Sequence, residues 1–97
     1  PALVKLLRQD REASVRAASA QALGFIGPGS GEEAVRPLVA ALYDYNSDVQ
    51  VSAAWALGRI GRAAEEAVPA LERLSTNSKS SALREHAREA IRKIEQK

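Results

Sequence analysis

The chain contains no cysteine and no methionine, one histidine and one tryptophan. Without cysteine it can form no disulfide framework, present no thiol nucleophile and build no thiolate metal site. A single histidine, His86, leaves little for metal or acid–base chemistry. Aromatics are only 4% of the residues, which argues against a sheet core rich in aromatic and β-branched side chains. No apolar run approaches the roughly 18 residues of a membrane span, so no membrane partner is expected. The start, Pro1-Ala2-Leu3-Val4, carries no basic signal-peptide head. It reads as the beginning of a piece of a longer protein, and a cytoplasmic location is expected.

What the chain does have is alanine, 19 in 97 residues, within an apolar fraction of 45%. Alanine is the strongest helix former, and its small side chain favours close-packed helices. Charged residues are 27% with a net charge of +2, a balance that argues against disorder. The length bounds the chain to one domain.

Shifted by 34 residues, the sequence matches itself. Ala22-Leu23-Gly24-Phe25-Ile26-Gly27 lies over Ala56-Leu57-Gly58-Arg59-Ile60-Gly61, and the shift continues to Ala90-Ile91-Arg92-Lys93-Ile94-Glu95. Val15-Arg16 lies over Val49-Gln50 and Leu83-Arg84. Pro1-Ala2-Leu3, Pro37-Leu38-Val39 and Pro69-Ala70-Leu71 each open an apolar stretch. Three copies are therefore expected within a single repeat domain spanning 1–97, at approximately 1–36, 37–68 and 69–97.

Each copy reads as two helices. Val35, Leu38, Val39 and Leu42 fall at helical spacing on one face, and Val49, Ala53, Ala56, Leu57 and Ile60 form the next. Asp44-Tyr45-Asn46-Ser47-Asp48 separates them with turn and cap chemistry. Gly27 and Gly61 are expected as left-handed C-caps. Ser30 and Glu33 occupy the two positions of a capping box. The spacing predicts helices near 2–9, 12–26, 32–43, 47–60, 64–75 and 80–95. Pro37 and Pro69 are tolerated in a first turn and kink a helix if deeper.

These residues resemble HEAT-like repeats of the short type first described in phycobilisome lyases. Val15-Arg16, Ser19-Ala20, Ala22 through Gly27, Ala53 through Gly61 and Ala67-Val68-Pro69-Ala70-Leu71 carry the resemblance. It implies an all-α fold, a short right-handed α-α superhelix of three antiparallel helix pairs. It also implies that the first helices form the convex side and the second helices a concave binding side. Gln50 stands where the pattern has arginine, which puts in doubt an Arg–Asp brace with the loop around Asp44. Arg88, Arg92 and Glu95 replace small residues in the last copy, as suits a terminal cap with a wet outer face.

Catalytic readings are weak. His86 and Glu89 share a helical face and form at most half a metal site. Glu32-Glu33 and Glu65-Glu66 open first helices, where the helix dipole accounts for them. Gly27 through Gly31 lacks the Gly-Lys-Ser/Thr ending of a phosphate-binding loop. No cofactor, no metal and no enzymatic activity are expected. The three copies carry net charges of +1, −2 and +3. Arg84, Arg88, Arg92 and Lys93 make nucleic-acid binding a further alternative, but interspersed Glu85 and Glu89 weaken it.

The second helices repeat a set of positions outside the core pattern: Ala17, Ala18, Gln21 and Phe25; Val51, Ser52, Trp55 and Arg59; Glu85, His86, Glu89 and Lys93. The expected partner surface is Gln21, Phe25, Val51, Ser52, Trp55, Arg59, Glu85, His86, Glu89 and Lys93, with Trp55 as anchor. The expected function is a non-enzymatic protein-interaction scaffold, taking a protein or peptide or associating with itself. The resemblance leaves a phycobilin lyase-like subunit or bilin-binding chaperone as an alternative.

Overall fold

The computed structural model describes residues 2–30 and 32–96. Pro1, which opens the first repeat landmark, Gly31, inside the expected capping box, and Lys97 lie outside them. The described residues are helical: α1 (Ala2–Gln9), α2 (Ala13–Ile26), α3 (Val35–Ala41), α4 (Ser47–Ile60), α5 (Val68–Asn77) and α6 (Ser81–Glu95). No strand occurs among them. Short 3₁₀ turns cover Gly27–Ser30, Glu32–Ala34 and Gly61–Ala67.

The helices form antiparallel pairs, α1 with α2, α3 with α4 and α5 with α6, and α4 lies between α2 and α6. One layer is α2, α4, α6, and the other is α1, α3, α5. Neighbours within the second-helix layer meet more closely than neighbours within the first-helix layer. The core follows the periodicity: Val35, Leu38, Leu42, Val49, Ala53, Ala56, Leu57 and Leu71 are fully buried. Alanine at the facing positions lets backbones approach to native packing density.

The helix ends differ from the expected spans for local reasons. The Ser30 hydroxyl donates to the Leu23 carbonyl at 2.6 Å, so it closes the end of α2 instead of capping the start of α3. Glu32–Ala34 is a 3₁₀ turn, and α3 proper starts at Val35 and not at 32. Pro37 therefore sits in the first turn of α3, where its missing N–H is harmless. Gly61–Ala67 likewise winds as 3₁₀, with Ala64 outside the helical region, so α5 begins at Val68 and extends to Asn77. Pro69 is in its first turn. The repeat boundaries at 36/37 and 68/69 thus fall inside the first turns of α3 and α5.

Gly27 and Gly61 take positive φ, 66° and 79°, but with ψ of −136° and −141° they are not the left-handed helical caps expected; they close α2 and α4 by donating their N–H groups to Leu23 and Leu57. The loops between the helices of each pair repeat a common clasp. The side chains of Asp10, Asp44 and Ser78 accept the backbone N–H two residues on, at 2.9, 2.9 and 3.2 Å. Arg16, Gln50 and Arg84 reach back to the loop carbonyls of Asp10, Leu42 and Ser78, at 2.9, 2.9 and 2.7 Å. The loop around Asp44 is braced after all, by the preceding pair: Arg16 Nε and Nη2 hold its two carboxylate oxygens at 2.9 and 3.0 Å. This bidentate hydrogen bond holds the Asp44 carboxyl below its ordinary range and raises the Arg16 guanidinium.

Candidate functional site

The site is built on the second-helix layer. Residues at 34-residue spacing on α2, α4 and α6 share one face, because each helix repeats the phase of its predecessor. Gln21, Phe25, Val51, Ser52, Trp55 and His86 line one cavity of about 270 Å³. Six of the ten expected surface residues are brought together there.

Trp55 is half-buried, and its indole lies on Gly24 of α2. A Cβ at Gly24 would stand 2.8 Å from Trp55 Cε3 and closer still to Cζ3. The glycine is thus the seat of the ring, a close approach that any side chain would block. The Phe25 ring meets the indole edge-on, with centroids 5.1 Å apart and planes at 68°. It is itself 72% exposed. Such an edge-to-face pair contributes about 0.5–1.5 kcal/mol beyond its buried area. On the other side, the Arg59 guanidinium lies 5.8 Å from the indole centroid. Its Nε donates to the Gly24 carbonyl at 3.3 Å, so one residue both covers the ring and ties α4 to α2.

The remaining expected residues are more dispersed in role. Ser52 is only 5% exposed and accepts a hydrogen bond from Gln21 Nε2 at 3.3 Å. It forms floor more than contact surface, and Ala17, also placed outside the core by pattern, is buried. His86 Nδ1–H donates to the Ala82 carbonyl at 2.8 Å. Glu89 is held by Arg92, which pushes its carboxyl below the ordinary range and raises the guanidinium. Among the described residues no group of three metal-ligating side chains gathers. Glu85 is exposed on α6, outside the cavity, and Lys93 lies half-buried one groove further along, beside Gly58.

Sequence reasoning missed the seat itself. Gly24 was legible as part of a repeated Ala-Leu-Gly motif, but not as the floor under a tryptophan 31 residues later. The cue was a single aromatic, Trp55, one position before Ala56, the alanine that faces that glycine.

Fold and site together define a class: an all-helical, two-layer repeat stack whose second-helix layer presents small, aromatic and basic side chains. Residues 1–92 match the HEAT-repeat family, and the chain belongs to it. Among solved structures it is similar to a designed armadillo repeat protein in complex with the peptide (KR)4. That match has a TM-score of 0.77 and 27% identity over 95% of this chain. It is also similar to an engineered protein, with a TM-score of 0.72 and 32% identity over 95% of this chain. The chain spans 45% and 43% of those two structures. No curated protein matches it. No helix among the described residues is long and apolar enough to cross a membrane.

Proposed function

We propose that the chain is a non-enzymatic interaction scaffold that docks a protein or peptide on the concave face formed by α2, α4 and α6. The observation that carries this reading is the seated Trp55. A large aromatic is held rigid by Gly24 and Arg59, and beside it an exposed Phe25 opens onto an apolar cavity. Rigid aromatic anchors in the middle of a face, with polar groups around them, are the usual energetic centre of an interface. The designed armadillo neighbour, solved in complex with a peptide, supports a peptide ligand for this architecture. The arginines that made nucleic acid an alternative are engaged elsewhere: Arg84 holds the Ser78 carbonyl, Arg88 the Ser75 carbonyl and Arg92 the Glu89 carboxylate.

The test is a selection of binders from a random peptide library on the 97-residue chain, followed by amide chemical-shift mapping. Perturbations should centre on the Trp55 indole N–H, Phe25 and Val51, and Trp55→Ala should abolish them while far-UV circular dichroism stays helical. Perturbations centred on α1, α3 and α5 instead would overturn the reading. Concentration-dependent self-association through Trp55 would make a second copy of the chain the partner.

A further inference from the structure

Beyond the aromatic cavity, the inner face ends in a groove of about 400 Å³ lined by Arg59, Arg62 and Lys93 together with Pro28, Gly58 and Gln96. Among the described residues no carboxylate lines it, and Glu65 and Glu95 lie with Arg62 in an adjoining hollow. Among the described residues none of these three cations forms an ion pair, whereas the other close pairs of the molecule, Arg16–Asp44, Arg36–Glu66 and Arg92–Glu89, are closed. Arg59 joins the groove to the cavity: its guanidinium covers the Trp55 ring, which lines the cavity, and among the described residues only Nε is engaged, so that Nη1 and Nη2 face a ligand. Apolar pocket and unpaired cations are thus contiguous.

Building on the reading of this face as a docking surface, we infer that its ligand is an acidic peptide segment. An apolar side chain fills the Trp55 cavity, and neighbouring carboxylates meet Arg59, Arg62 and Lys93. The cavity size suits the anchor, since a cavity of about 150 Å³ already holds a benzene ring, and this one offers about 270 Å³. Guanidinium groups take carboxylates in bidentate fashion, and a cation-lined wall steers acidic partners in and rejects basic ones. The ligand is opposite in sign to the (KR)4 of the designed neighbour. A nucleic acid is the poorer occupant. Its phosphates need a continued track of cations, and along α6 the arginines alternate with Glu85 and Glu89, the latter paired with Arg92.

The probes are a short capped peptide with a central leucine among aspartates and glutamates, and its counterpart with lysine at every acidic position. Trp55, the only tryptophan, reports binding by its emission. The acidic peptide should shift that emission, bind at least about tenfold more tightly than the lysine version, and weaken as salt is raised. Arg62→Glu, at an exposed residue, and the double change Arg62→Glu with Lys93→Glu should each weaken it, the double by about tenfold or more, with thermal melting of Arg62→Glu unchanged. Equal or tighter binding of the lysine peptide would overturn the inference while leaving the docking surface intact. Silence of Trp55 towards both peptides would also overturn it. Library-selected binders that still map to Trp55 would then preserve the broader reading, and binders mapping elsewhere would remove both. An oligonucleotide that displaces the acidic peptide at equal salt would replace it with a nucleic-acid ligand.

Discussion

At the α2–α4 seam Gly24 faces Ala56, and at the α4–α6 seam Gly58 faces Ala90. In each case an added Cβ would lie 3.0 Å from the partner's Cα. The two approaches are equivalent, 34 residues apart. What lies beside them is not. Trp55 covers the first glycine, whereas its counterpart Glu89 turns to Arg92 in solution. Arg59 caps the first seam, and the stem of Lys93 lies over the second, its Cδ 3.7 Å from where a Gly58 Cβ would be. Between the loops, Arg16 clamps Asp44 across the first seam, while Gln50 and Ser78, the corresponding residues, share no such bond. Small residues at fixed positions set the stacking distance. The residues that ride on that spacing are free to differ, and one seam has become a surface with an aromatic seat while the other remains plain.

The largest effect should come from removing one seam altogether. A chain ending at residue 68 bares the face of α4 that α6 covers, including Gly58. Because a repeat unit cannot bury its apolar stripe alone, loss of cooperative thermal unfolding or aggregation is expected by circular dichroism and light scattering. A soluble fragment of unchanged helicity would show that the first seam suffices.

Ala56→Leu comes next. Ala56 is fully buried where α4 meets Gly24 of α2, and overpacking should reduce stability by about 1–3 kcal/mol in chemical denaturation. Ala90→Leu, on the last helix, should cost less because α6 has a free outer side that can yield. Equal losses would deny the difference between an inner and an outer seam.

The glycines distinguish the seams by mechanism. Gly24→Ala should expel the indole from its seat, seen as red-shifted Trp55 emission. Gly58→Ala pushes backbone against backbone at Ala90 and should lower the melting temperature without changing that emission. In a double-mutant cycle, Trp55→Ala should recover part of the loss from Gly24→Ala and none of that from Gly58→Ala, a coupling expected only of residues in contact.

The smallest effect concerns the loop clamp. The Arg16 hydrogen bond lowers the Asp44 carboxyl in the folded chain, so its contribution is complete above the unfolded value near 4 and is lost as pH falls through the folded value. Asp44→Asn should therefore flatten the acid limb of the stability profile below about pH 4 and leave the neutral plateau modestly lower. An acid limb identical to that of the parent chain would mean that the clamp contributes nothing to folding. The exposed Glu89–Arg92 pair should matter less still, since solvent-exposed ion pairs contribute little.

The period, the helix pairing and most of the core were legible because they are repeated, and repetition averages out local irregularity. Leu38, Leu42 and Leu57 could be placed as buried from spacing alone. The 3₁₀ turns were not legible. Ser30 and Glu33 carry the letters of a capping box, and only three dimensions show the hydroxyl turned back to Leu23. The brace at Asp44 was sought within its own copy and lies across copies, a choice that spacing along one helix cannot make. Trp55 was placed on the inner face by exclusion from the core pattern. Its half-burial depends on a missing side chain on another helix, and an absence leaves no periodic trace.

The loop clasps have a consequence for how such an array lengthens. Each loop is closed by its own residues: Asp10 with Glu12, Asp44 with Asn46, Ser78 with Ser80. A duplicated block spanning 27–60, inserted after Ile60, would carry its own clasp and both ends of a seam. It would bring a second tryptophan over Gly58 and leave the original Trp55 on Gly24. Growth by one unit would therefore add a second aromatic seat at the same spacing, turning a single anchor point into a ruler for longer ligands.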